Sequence, residues 1–283
     1  VVKIEATRIA SKNQVPQGKL TDSKPKKPHL FLTRILMVLL GLMFFLTISA
    51  KQTVFNSEYI QQQVEKSDAA DTINQQLNTQ LQQSGVPQLQ TNLIPNDLIN
   101  DELKTMIGQF YNDQTVELDQ NLITNEINQS VGTSGIIQQN LVSMVVTQVV
   151  KVLDGQLDTQ KLSQYAGQVA KLQKLNQIVM MVSGVGFVLV ALFAFIKKRG
   201  LNLLGSTLTV IGSFAAIISA IAYLSNILSN LPIQYAVIKT IVEQVGQDIL
   251  IREFTIALGV LVLGIILLVG SAITQGLTHR KNA

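Results

Sequence analysis

Three runs of the chain contain no charged residue: Ile178 to Ile196, Leu201 to Ile238 (polar only in its second half), and Phe254 to Thr274. A fourth run, Ile35 to Ala50, is shorter. It reaches about twenty residues, the number a helix needs to cross a bilayer, if Phe31 and Leu32 are included and the Arg34 side chain snorkels toward the headgroups. The pattern predicts four transmembrane helices, at residues 31–50, 178–196, 201–224 and 253–274.

Between the first two runs, residues 51–177 show helical periodicity at lower hydropathy. Ile73, Leu77 and Leu81 fall four apart, and "SGVP" at 84–87 supplies a glycine stop and a proline break. A helix with Asn96 as its cap carries Leu98, Ile99, Leu103, Met106, Ile107 and Phe110 on one face and ends near Tyr111. Leu122, Ile123, Ile127 and Val131 predict another short helix, ended by "GTSG", which also caps the next one. Residues 136–153 are apolar enough for the central helix of this region, with a strand as the alternative given the valines. Gly155 stops it, and Asp158 or Thr159 starts a helix whose stripe of Leu162, Tyr165, Ala166, Val169, Leu172 and Asn176 leads into the second span. One rod is predicted from about Thr159 to Lys197. In the stretch 225–252, Tyr235, Ile238, Ile241, Val242, Val245 and Ile249 have helical spacing after Pro232 and predict a segment that covers the bundle or packs beneath the larger region.

The expected fold is therefore all-α: a four-transmembrane-helix membrane protein with a helical extracytoplasmic domain, residues 51–177, inserted between spans 1 and 2. Residues 1–30 form a basic cytoplasmic tail without fixed structure, and residues 275–283 a second cytoplasmic tail.

Composition supports this division. The chain of 283 residues is 47% hydrophobic and 14% charged, too apolar for an ordinary soluble domain. Gln and Asn are abundant in residues 51–177, as in prion-like tracts, but the apolar periodicity argues for folding. No cysteine is present, which excludes disulfides and every thiolate chemistry. The initial Val1 is what a non-ATG bacterial start codon, or a trimmed chain, would give.

Charge assigns the sides. Residues 1–34 hold eight Lys or Arg, among them Lys24, Lys26, Lys27 and Arg34, against two acids. Residues 51–177 hold seven bases against thirteen acids, while Lys197, Lys198, Arg199, Arg280 and Lys281 flank the later spans. The positive-inside rule places both termini and the 197–200 turn in the cytoplasm and residues 51–177 and 225–252 outside. The segment "SKPKKPHLFLTR" reads as this topology signal in preference to an arm for lipid or nucleic acid. Cleavage after "ISA" at 48–50 is the alternative to an uncleaved anchor, which Ile48 favours as a poor match to a small-residue cleavage pattern.

Within the spans, Gly205, Thr209, Gly212, Ala216 and Ala220 recur at three- and four-residue spacing, and Ala257, Gly264 and Ser271 every seven. Such stripes let helix backbones approach; packing within the chain is the favoured use, a homo-oligomer interface the other. The cores of spans two to four lack the Asp, Glu, Lys, Arg or His that ion pathways use, which disfavours transport by this chain alone.

Only "QFYNDQTVELDQN", residues 109–121, suggests chemistry, through Asp113, Glu117 and Asp119. A calcium loop starting at Asp113 would need Gly and Glu where Leu118 and Thr124 stand. A glycosidase pair would need an aromatic-lined cleft, and the chain has no Trp. His29 and His279 lie at the cytoplasmic borders, away from these acids. "GTSG" lacks the nucleophile-elbow spacing and "GVGFVL" at 184–189 lacks a dinucleotide fingerprint. The three carboxylates are weak metal candidates beside the reading as a solvated helix connection, and no cofactor and no catalytic residue is assigned.

Ser57 and Tyr59 soon after the first span, with the Phe110–Tyr111 pair in the middle of the outside region, resemble a pattern in uncharacterised four-pass membrane proteins of Gram-positive bacteria, over roughly residues 30–275. The resemblance implies a plasma membrane and an outward-facing domain, and no activity. The expected function is a non-enzymatic membrane protein whose outside domain binds a cell-envelope partner or senses a signal. An accessory subunit of a transporter or channel is the second reading.

Overall fold

The computed structural model describes residues 28–83, 94–131, 136–197 and 200–281. Their regular structure is entirely helical: α1 (Pro28–Gln52), α2 (Ser57–Lys66), α3 (Ala69–Gln83), α4 (Asn96–Tyr111), α5 (Gln120–Val131), α6 (Ile136–Leu157), α7 (Thr159–Ile196), α8 (Gly200–Leu224) and α9 (Ala236–Lys281). Four of these, α1, α7, α8 and α9, are long and apolar enough to cross a membrane. The strand alternative for residues 136–153 is replaced by helix.

The spanning helices pack through small residues. A Cβ at Gly212 would lie 2.5 Å from the Leu261 nitrogen and 2.7 Å from the Ala257 oxygen, and one at Gly264 would lie 2.5 Å from the Thr209 nitrogen. The α8 and α9 backbones thus touch directly, as small-residue stripes permit. On the other side, α1 packs against α7, with the Phe44 ring over Gly184 and Leu40 over Gly186. Ile211 and Phe187 converge on Gly41 and tie α1 to both α8 and α7.

Helices α2 to α6, with the leading ends of α7 and α9, make a helical head around one apolar core. Ile73 and Leu77 of α3, Ile99 and Leu103 of α4, Ile123 and Ile127 of α5, and Val145, Val149 and Leu153 of α6 are buried there. Burying each such side chain contributes about 1.5–3 kcal/mol, so a Gln- and Asn-rich exterior does not prevent folding. Val237 and Val245 of α9 belong to the same core, so the segment 236–252 packs into the head.

Two helices run from head to bundle without a break. With 38 residues α7 is about 57 Å long, and with 46 residues α9 is about 69 Å, against about 30 Å of hydrocarbon. The predicted rod from Thr159 is present. The predicted segment 225–252 differs from expectation: its first part is turns, and the remainder is the beginning of the same helix that forms the fourth span.

Three local expectations are corrected. Asn96 is the first residue of α4 and Pro95 the cap position; the Asn96 amide instead donates to Asp71 Oδ1 at 2.7 Å and accepts from Asn74. Gly155 does not end α6, which continues to Leu157. The stripe on α7 divides, with Ala166 buried but Tyr165 and Leu172 exposed. The predicted stops at 84–87 and 132–135 lie outside the described residues.

Candidate functional site

Residues 109–121 form a pinned connection between α4 and α5. The Asn112 N–H donates to the Gly108 and Gln109 carbonyls, and Asp113 turns the chain with φ 58°, a left-handed conformation that Asp tolerates better than most residues. The backbone then extends, alternating inward and outward. Val116 is buried in the head core, Glu117 is exposed, Leu118 packs against the core, and Asp119 is exposed. Three backbone donors on this edge are held: Val116 N–H by Ser163 Oγ at 2.8 Å, Glu117 N–H by Gln109 Oε1 at 2.9 Å, and Asp119 N–H by Glu102 Oε1 at 2.7 Å. Gly167 on α7 accommodates this crossing, since a Cβ there would meet Asp113 Oδ1 at 3.2 Å.

The three predicted carboxylates have separate surroundings. Asp119 caps α5, its Oδ1 accepting from the Asn121 and Leu122 N–H groups at 3.0 Å each, and so satisfies orphan donors of the first turn. Glu117 and Asp119 face a groove of about 670 Å³ whose far wall includes Asp154, while Asp113 sits at the turn on the side of α7. Among the described residues no three His, Asp or Glu side chains converge in a way that could hold a metal ion.

Glu102 is the acid that periodicity did not single out. It is 1% exposed, with Oε1 accepting from Asp119 N–H and Oε2 buried without a partner. Burial holds its proton affinity above the usual carboxylate range; the nearby Asp119 charge adds to this and the Asp119 N–H opposes it. Its place between Leu98, Ile99 and Met106 on the apolar face was the available signal. Being sealed from the groove, it cannot deliver a proton to a ligand there.

Polar contacts join the head to the two long helices. Asp158, with φ 49°, caps α7 by accepting from Lys161 N–H, and its Oδ2 receives Lys161 Nζ at 2.7 Å and the Tyr235 hydroxyl at 2.8 Å. The hydrogen bond from Lys161 and then that from Tyr235 hold the Asp158 carboxyl below its usual range, and the hydrogen bonds that Lys161 makes to Asp158 and then to the Tyr235 hydroxyl raise Lys161. Asp68, before α3, and Gln244 of α9 exchange two hydrogen bonds, at 2.6 and 2.8 Å. Arg252 stacks its guanidinium over the Tyr59 ring at 4.8 Å.

The predicted packing residues are brought together by α8 and α9. Gly205, Gly212, Ala216, Ala257, Gly264 and Ser271 are buried, and Thr209 and Ala220 half-buried. Of the basic flanking residues, Arg34 is exposed on α1 and Lys197 caps the end of α7 with its ammonium 5.5 Å from the Phe193 ring centre. Lys24, Lys26, Lys27, Lys198 and Arg199 lie outside the described residues, as do the side chains of His29, His279, Arg280 and Lys281. Gly200 begins α8, and its lack of a Cβ leaves room for the Phe195 ring.

No protein family, no curated protein and no solved structure matches this chain.

Proposed function

We propose that the protein is a non-enzymatic multi-pass plasma-membrane protein whose helical head lies on the extracytoplasmic side and binds a cell-envelope partner or senses a signal. The observation that carries this reading is the continuity of α7 and α9, each an uninterrupted helix from the head core into the spans. A helix transmits displacement along its axis, because bending it requires breaking backbone hydrogen bonds. A ligand that shifts the head thereby moves two of the four spanning helices together, a rigid-body route for coupling. The acidic balance of residues 51–177 against the basic flanks supports the sidedness.

The absence of cysteine makes the test direct. Single cysteines at Gln75, on α3, and at Lys197 should divide in labelling of intact cells by an impermeant maleimide, the first labelled and the second protected. Deleting residues 60–160 should abolish recovery of the crosslinked envelope partner; undiminished recovery would overturn the head as the binding element. The second reading, an accessory subunit of a transporter or channel, would have a partner meet small-residue faces of the spans, and Gly205, Gly212 and Gly264 lie against the facing helix within the chain.

A further inference from the structure

The seven lysines of residues 51–177 are not spread evenly. Lys104 pairs with Glu65 and Asp101, and Lys161 with Asp158, all in the head. Three others, Lys51 on α1 and Lys171 and Lys174 on α7, lie at one level where the head meets the spans. The Asn176 amide donates to the Thr47 carbonyl at 2.9 Å and sets the register of α7 against α1. From that level, the helical rise puts Lys174 about 3 Å, Lys51 about 6 Å and Lys171 about 7.5 Å toward the head, a layer only about 5 Å deep. Residues 47–53 and 171–177 contain no acid, and the three side chains are exposed.

The direction of the two α7 lysines follows from the helix. Ile178, Val182, Val185 and Leu189 are 60–66% exposed and form the outward stripe of the spanning part of α7. Lys174 and Lys171 precede Ile178 by four and seven residues, so they continue the same stripe upward. Leu172 and Leu175, also more than half exposed, alternate with them. A face that begins as exposed aliphatic side chains and ends in two ammonium groups among leucines matches the chemistry of a phospholipid, acyl chain below and phosphate above.

We propose that the Lys171–Lys174 face of α7 is a binding site for the phosphate of an anionic phospholipid in the leaflet on the head side. The lysine stems lie along the leucines while the ammonium groups reach the phosphate, as long basic side chains do at membrane interfaces. The proposal rests on α7 as a spanning helix and is independent of which side of the membrane the head occupies. It gives an otherwise acidic head a fixed orientation on the bilayer.

The test uses the full chain in vesicles of phosphatidylcholine with about a third phosphatidylglycerol, a composition that makes the surface anionic. Either lipid carries a diazirine near its glycerol backbone. Irradiation should place phosphatidylglycerol on the peptide spanning Lys171 to Val182, with much weaker transfer from phosphatidylcholine. Lys171→Gln and Lys174→Gln should each lower the phosphatidylglycerol adduct about fivefold, the worth of one basic residue beside an anionic surface. The Lys→Arg pair should retain it, separating charge from any effect on folding. Equal transfer from both lipids, or a phosphatidylglycerol adduct unchanged in the double Gln variant, would overturn the proposal. So would loss of the adduct on adding excess glycerol phosphate, which would make the ligand a free phosphate.

Discussion

The Tyr235 hydroxyl donates to the Asp158 carboxylate at 2.8 Å, joining the start of α9 to the cap of α7 across 77 positions of sequence. These are the two helices that pass from the head into the bundle, and the bond lies at their far ends from the membrane. From Thr159 to Gln177 is about 28 Å of helix and from Ala236 to Arg252 about 25 Å, so the two rise to matching height. Asp158→Asn tests the link selectively, because Asn tolerates the left-handed backbone and still caps the helix. Hydrogen exchange at residues 236–240 should accelerate in this variant and in Tyr235→Phe, while residues 161–163 remain protected. Unchanged exchange at the start of α9 in both would remove the clamp from the mechanism. Asp158 has a lowered pKa, so the clamp's contribution is present above the unfolded carboxylate value and is lost as pH falls through the folded one.

Gly212 and Gly259 provide an internal comparison for the bundle. A Cβ on Gly212 would strike α9 backbone atoms at 2.5 to 2.8 Å, whereas one on Gly259 would meet nothing within 4 Å. Backbone cannot rotate away as a side-chain tip can, so Gly212→Ala should cost about 1–3 kcal/mol through separation of α8 and α9. Gly259→Ala should be neutral or gain up to about 1 kcal/mol from helix propensity. Thermal unfolding of the two variants in the same detergent measures the contrast; equal midpoints would mean that the two helices do not pack at Gly212.

The spans were legible because a charge-free run of this length has one economical structure in a bilayer, and the Gly205–Gly212 stripe because close packing requires residues without bulk. Other features escaped for identifiable reasons. Arg252 and Glu253 interrupt hydropathy at the head of the fourth span, but charge changes the surroundings of a helix without interrupting its hydrogen bonds, so α9 continues through them. Gly155 carries only a propensity cost of about 1 kcal/mol, which the packing of Val152, Leu153 and Leu157 exceeds. Asn96 had a closer competitor for its amide in Asp71, from a helix twenty-five residues away. The carboxylates at 113, 117 and 119 were conspicuous as a cluster in sequence; extended backbone separates them, and the structurally demanding acid is Glu102, on a face that reads as apolar.

Tyr111 ties the end of α4 to the turn after α1, its hydroxyl donating to the Val54 carbonyl at 2.6 Å. Burial pushes its pKa up to about 12. An unfolded tyrosine titrates near 10, so the stabilising effect is complete below about pH 10 and is lost as pH rises through about 12. Tyr111→Phe should destabilise the protein by about 1 kcal/mol at neutral pH, the net worth of one hydrogen bond, with the difference from wild type shrinking above that range. Phenolate absorbance supplies a second readout. Of the five tyrosines, the one whose signal disappears in Tyr111→Phe should be the late-titrating component. If the variant instead removes an ordinary early-titrating phenol, Tyr111 is not buried against α1.

Glu102 carries the same argument at acid pH. Its folded pKa is raised, principally by burial, so the native state holds this proton more tightly than the unfolded chain does. The resulting stabilisation is present in full below the unfolded value and is lost as pH rises through the folded one. Glu102→Gln keeps an acceptor for the Asp119 N–H and cannot ionise. It should match wild type near pH 4 and exceed it at neutral pH by about 1 kcal/mol, because a buried charge has been removed while the hydrogen bond remains. Glu102→Ala should be less stable at every pH by about 1–3 kcal/mol, since it leaves the Asp119 N–H without its partner and opens a cavity beside Ile99 and Leu103. Unfolding midpoints of the three proteins followed from acid to neutral pH decide the matter. A Gln variant weaker than wild type at neutral pH would mean that the carboxylate charge itself holds the α4–α5 connection in place.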